Sequence, residues 1–277
     1  TMTVEAGCLL QAVQDAAAAQ GLLFPLSLAA YMAVGMMKSA EHKQYGLKRK
    51  EKRDLASDQA LFSKVFTYVI QVLNVPANIE IFFRPDQPGE LQVANAREKN
   101  IFIPSIVVGQ GMLAGRSDKD LAFPIAVFLT KMRPEHYLRQ ILASNTELSV
   151  AIQAAIRLAR PDFGVQPQHA QLVEQYMTAM SPHLPFAARE HLGMVVQKFI
   201  ATKAQLDMAK WAQAVDLTSH RAGLIISNDL ALAARFIGQE PTTVGGMVPK
   251  DKIKELIMYA ISPQYFELRQ ALGIAIG

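Results

Sequence analysis

Cysteine is nearly absent from this 277-residue chain, Cys8 being the only one, and that excludes a disulfide framework, a thiolate zinc cage and an iron–sulfur cluster. A reducing, cytoplasmic compartment is the corresponding expectation. Charge is sparse as well, at 19% of residues, against 51% apolar and a mean hydropathy of +0.13. Those values exclude a disordered tail, a collagen-like fibre and a coiled-coil rod. What remains is a packed globular chain, long enough for one large domain or two small ones.

The usual catalytic signatures are missing too. The six histidines are His42, His136, His169, His183, His191 and His220, and no two stand four apart, so no pair can share one helical turn as metal ligands. The glycine pairs Gly109/Gly111 and Gly245/Gly246 lack the further glycine and helix start of a dinucleotide fingerprint. There is no phosphate loop and no G-x-S-x-G elbow, and Cys8 has no histidine near it in sequence. No cofactor is expected. A polar cluster of Arg133, Glu135 and His136 is the best candidate for an unrelated enzyme site.

The net charge of +4 is local. Between Lys38 and Asp54 lie seven basic residues (Lys38, Lys43, Lys48, Arg49, Lys50, Lys52, Arg53) against three acidic ones (Glu41, Glu51, Asp54), and the rest of the chain balances at 21 against 21. One basic stretch on a neutral body is expected to be a solvated linker over residues 38–57. No specific nucleic acid is expected, although Lys38 to Arg53 could serve an anionic surface or nucleic acid. Ahead of it, Val4 to Ala19 has an amphipathic helical pattern. Ala16 to Met37 is 22 residues without a charge, which admits a membrane span with the protein facing the cytoplasm. Gly21 and Pro25 interrupt it, so a broken pair of helices packed on the body is the expected form. No cleavable signal peptide is visible. The sequence begins on Thr1, which suggests a region of a longer protein unless Met2 is the start.

From residue 58 to 277 the pattern is α+β and predominantly helical, with a small sheet packed on a buried helix. Asp58 to Leu73 carries a broad apolar stripe. Ile79 to Phe83, Leu91 to Ala94 and Ile101 to Pro104 are expected to form about three strands. Ser117 and Asp120 make an S-x-x-D cap, and Leu121 to Met132 is apolar nearly all round, hence a central helix. Helices are expected at Glu135 to Leu142, Thr146 to Arg160, Gln168 to Met180, Phe186 to Lys203, Leu206 to Ile226, Leu230 to Ile237, Lys250 to Ile261 and Pro263 to Leu272, with prolines between them.

Several segments in this order resemble the HtpX and CAAX prenyl protease type of zinc metallopeptidase, a gluzincin family. ALFSKVFTYVIQVLNVPANIEIFFRP is similar to that family's first helix and strand, and LQVANAREKNIFIP with VVGQGMLAG to its Asn-Ala edge strand and the strand leading to the active-site helix. SDKDLAFPIAVFLTKM falls where the family has H-E-x-x-H, and VDLTSHRAGLIISNDLALAARFIG resembles the segment that supplies the third zinc ligand. The resemblance covers Leu61 to Gly238. It implies that Val127 stands in place of the first ligand histidine, Phe128 of the general-base glutamate, Lys131 of the second histidine and Asp216 of the ligand glutamate. No metal and no catalytic residue are then expected, because Val and Phe have no lone pair and a protonated lysine only donates. Without the resemblance, the same helix is simply core.

The resemblance implies an inactive module with a structural or protein-binding role. A protein or peptide partner would lie along the edge strand formed by Gln92, Val93, Ala94, Asn95 and Ala96. It also implies that Lys131 and Asp216 lie close together, so Lys131 is expected to stand in for the metal as the cation facing Asp216, with His220 nearby. The alternative is that Lys131 reaches solvent.

Overall fold

The structure, a computed structural model, describes residues 28–75, 79–142, 144–201, 207–240 and 247–274. Cys8, the Val4–Ala19 pattern and the first part of the 16–37 apolar run lie outside the described residues. The chain is mostly helical with a small mixed sheet of three strands, as its patterning requires.

That sheet contains β2 (Glu80–Arg84), β3 (Leu91–Ala94) and β6 (Ser105–Gly109) in the order β2-β6-β3. β6 runs parallel to β2 and antiparallel to β3. The third strand is therefore Ser105–Gly109 and not the expected Ile101 to Pro104. The physical reason is burial: every residue of β6 is buried, so its Ser-Ile-Val-Val-Gly run has none of the alternation that marks a half-exposed strand. Ile101–Phe102 (β5) instead joins a second small sheet, β1-β4-β5, with β1 (Ala40–Glu41) and β4 (Ala96–Glu98).

The presence of β1 in that sheet corrects the expectation of a solvated linker over 38–57. β1 pairs in parallel with β4, Leu47 is buried with Phe82, Ala94 and Val107, and the Arg53 N–H donates to the Ile81 carbonyl at 2.8 Å. Three of the charges that suggested a linker are tied down by Lys38–Glu147, Lys52–Glu80 and Arg84–Glu51 ion pairs.

Helix α1 (Leu28–Met37) precedes this segment. Ala30, Ala33 and Val34 enter a helical core, and Tyr31 and Met36 face a second core on the sheet side. Gly35 lets α1 approach closely, since a Cβ there would lie 2.6 Å from the Phe102 ring. Among the described residues no helix is long and apolar enough to cross a membrane.

After α2 (Leu61–Leu73) and the sheet come a single turn α3 (Gln110–Leu113) and the long helix α4 (Asp118–Lys131). Ser117 caps α4 by accepting from the Asp120 N–H, and two acids sit in its first turn, where the helix dipole favours them. Pro124 lies inside the helix and cannot donate to the Asp120 carbonyl four residues back. Arg116 Nη1 reaches that oxygen at 3.5 Å instead. Leu121, Phe123, Ile125, Ala126 and Leu129 are all buried, which makes α4 the central helix its composition requires.

The remaining helices are α5 (Leu138–Ile141), α6 (Asn145–Ala159), α7 (Ala170–Met180), α8 (Phe186–Ala201), α9 (Met208–Ser227), α10 (Leu230–Gly238), α11 (Pro249–Ala260) and α12 (Pro263–Ala271). The expected helix at Glu135 to Leu142 is shortened to α5. Helix α9 is the spine. Trp211, Ala212 and Val215 belong to the helical core, Ala222 to the sheet-side core, and Leu224 and Ile225 to a third core with α10, α11 and α12.

Helices α4 and α9 run antiparallel. Lys131 meets Asp216 at one end, and farther along Gly223 lies against Phe123 and Val127, where a Cβ would sit 2.8 and 2.9 Å from their side chains. Gly223→Ala should therefore cost about 1–3 kcal/mol in urea unfolding, as overpacking does. Gly164→Ala, with nothing within 4 Å of its Cβ, should carry no such steric penalty. Equal midpoints for the two variants would refute this account of the helix contact.

Candidate functional site

Of the four positions that the resemblance set at a metal centre, Lys131 and Asp216 come together, in a knot of charges. Asp216, at mid-α9, is 1% exposed. Its Oδ1 lies 3.2 Å from Lys131 Nζ at the end of α4. Its Oδ2 lies 3.7 Å from Arg139 Nη2 on α5 and 3.8 Å from Lys252 Nζ on α11. Lys252 is itself fully buried and donates to Glu240 Oε2 at 2.8 Å. Glu240 Oε1 meets His220 Nε2, also at 2.8 Å. Helices α4, α5, α9 and α11 thus meet around two carboxylates.

The electrostatics explain the arrangement. A carboxylate taken out of water costs several kcal/mol unless countercharges and hydrogen bonds replace the solvent. Asp216 faces three cations, and Glu240 has Lys252 and His220. Burial works to raise the Glu240 carboxyl, but the bond and charge of His220, with the Lys252 ammonium, overcome it and hold it at about 2. The His220 ring stacks on Phe123, centroids 6.5 Å apart, which joins the knot to the core.

Val127 and Phe128 contribute nothing polar. Val127 packs into the third core and Phe128 into the sheet-side core. As a zinc site the donor set does not fit: Lys131 only donates, Val127 and Phe128 have no lone pair, and both Asp216 oxygens already face cations. Among the described residues no group of three or more His, Cys, Asp or Glu is placed to share a metal ion.

The Arg133, Glu135 and His136 cluster is engaged structurally. Arg133 bonds Glu135 and donates to the Leu73 carbonyl at the end of α2. The His136 Nδ1 lies 2.9 Å from the Thr130 carbonyl, and burial pushes the ring's proton affinity below its ordinary value of 6.5.

The candidate edge strand divides in two. Gln92 is exposed and Val93 half-buried on β3, whose ladder partner is β6 alone among the described residues. Ala94 is buried, as are Asn95 and Ala96, and Ala96 lies in β4, the middle strand of the second sheet. Asn95 is a structural hub. Its Nδ2 donates to the Gly35 carbonyl and its Oδ1 accepts from the Tyr137 hydroxyl, while its backbone oxygen accepts from Tyr45 and Ala40. Asn95 and Ala96 therefore have no free strand edge to offer a peptide, which removes them from the expected binding set.

Sequence reasoning identified Asp216 as the only acid at this position and missed Arg139, Glu240 and Lys252. One signal was present. Lys252 precedes Leu256 by four residues, which puts a lysine on the buried stripe of α11.

Two predictions follow from this geometry. Lys131→Met should cost about 2 kcal/mol, because Arg139 and Lys252 still face Asp216. Asp216→Asn should cost about 3–5 kcal/mol by leaving Lys252 buried with one acid, and the double variant should lose less than the two added together. Additive losses in denaturant unfolding would show that the pair is not coupled. The second concerns pH. The depressed Glu240 value contributes stability that is complete above its ordinary 4.5 and is lost as pH falls toward 2. That contribution is on the order of 2 kcal/mol after solvent screening, and Glu240→Gln should remove it. The separate loss from His136, which begins as pH falls below 6.5, should persist in that variant. A wild-type slope below pH 4.5 in Glu240→Gln would contradict the assignment.

Comparison of the chain with protein-family models, with curated proteins and with solved structures found no match.

Proposed function

We propose that this chain is a catalytically inactive, metallopeptidase-like module with a structural or protein-binding role. The observation that carries the reading is the knot around Asp216. In the alignment the resemblance implies, Lys131 and Asp216 take the places of two metal ligands, and they lie 3.2 Å apart with a second ammonium, that of Lys252, 3.8 Å from the same carboxylate. Two ammonium ions supply the same positive charge as one divalent cation. They offer no vacant coordination position and no lone pair for activating water, which is what hydrolysis by such a centre needs.

The edge of β3 supports the binding half of the proposal. Leu91, Gln92 and Val93 bond to β6 on one side, and an extended peptide could add to the other. Elemental analysis of protein purified without chelator should find no stoichiometric zinc, and incubation with a mixed peptide pool should leave it uncut. One tightly held zinc per chain, with chelator-sensitive cleavage, would overturn the reading.

A further inference from the structure

Helix α11 is held to the body along one face, where Lys252 is fully buried and Leu256 is 2% exposed. At about 3.6 residues per turn, those two anchors send Lys254, Ile257, Met258 and Ile261 to the opposite face. The exposures agree, at 43% for Ile257, 57% for Met258 and 68% for Ile261. Phe266, at the start of α12, is 59% exposed. Its neighbour Tyr265 packs edge-on against Tyr259 of α11, ring centroids 5.6 Å apart, which fixes the two helices as one corner.

Single exposed apolar side chains are ordinary on a protein surface, whereas several together on one helix face, rimmed by charge, mark an association surface. Here the exposed charges are sorted along the face. Lys250, Asp251 and Lys254 precede the apolar group, and Glu267 follows it on α12, all of them exposed. Glu255 is half-buried on the flank. Among the described residues none of Lys250, Lys254 and Glu267 is in an ion pair. One end of the face is therefore positive by a single charge. The other is negative, through Glu267 and the open carbonyls of the last turn of α11.

We propose that this face joins two copies of the chain through a two-fold contact, with α11 of one copy antiparallel to α11 of the other. An axis level with Tyr259 sets Ile257 of each copy over Ile261 of the other, with Met258 between them. Lys254 of each copy then faces the C-terminal end of the second copy's α11 and Glu267 beyond it. A parallel arrangement would instead set Lys254 against Lys254, and like charges in contact penalise it. The self-complementary sorting of charge is what selects a second copy as the occupant. The inference is independent of whether the chain is an inactive peptidase.

The test is sedimentation equilibrium of the intact chain from about 2 to about 200 µM, which should show a reversible equilibrium between monomer and dimer. Ile261→Glu should weaken association at least about tenfold. Because that side chain is exposed, the Tm of the dilute variant should match that of the wild type. Lys254→Glu and Glu267→Lys should each weaken the dimer, since either variant opposes like charges twice across the two-fold axis. An equimolar mixture of the two should associate as the wild type does, because both crossed contacts become attractive again. The proposal is overturned if the chain stays monomeric across the range, if Ile261→Glu leaves association unchanged, or if the mixture associates no better than each charge variant alone. The first of these outcomes would leave the face to a different protein.

Discussion

The position of Asp216 constrains everything packed around it. An ionised carboxylate at mid-α9, with 1% exposure, has to be answered by countercharge, and three cations from other elements supply it. α4 answers with Lys131, α5 with Arg139 and α11 with Lys252. Each cation ties its element to one register against the spine. Slide α11 by a residue and Lys252 leaves both carboxylates while a neighbour with a different side chain takes its place. Apolar packing alone tolerates such slippage better, since Leu and Ile can often exchange places in a core. Directional, charged contacts penalise it, and that specificity is the best-attested service of buried ions.

The arrangement also distributes its costs. Lys252 is shared between two acids, and Glu240 between two partners. No single pair has to compensate its own desolvation, because each ion draws on the field of the others. The aromatic contact of His220 with Phe123 carries the network into the contact between α4 and α9, where Gly223 allows two helices to approach as closely as they do.

Features governed by neighbours in sequence were legible before the structure was known. The cap at Ser117, the apolar circumference of α4, the α-helical segments between prolines and the stripe of α2 all follow from local spacing, and their boundaries differ by a few residues at most outside the shortened α5. What sequence hid was set by distant partners. β6 looks like any apolar run because both its faces are covered, and residues 38–57 look like a linker because their charges are visible while the acids that meet them, Glu80 and Glu147, are far along the chain. At the candidate site, proximity of Lys131 to Asp216 was accessible through the resemblance. Arg139 and Glu240 were not, since neither lies on a patterned face that marks it as inward. Asn95 was misplaced because the resemblance set it on an edge strand, and only its bonds to Gly35 and Tyr137 show that it holds α1 in place.

The charge knot gathers positions 131, 139, 216, 220, 240 and 252, so its contacts close long loops between α4, α5, α9 and α11. Contacts of that separation form after local helices and after the hairpins, because loop-closure entropy delays them. During synthesis α4 leaves the ribosome well before α9, and α9 before α11. Asp216 and Lys131 therefore both emerge ahead of Lys252, which reaches their contact last. Helix α11 then acts as a latch across the earlier helices, and the ammonium it carries converts a tolerated arrangement into a fixed one.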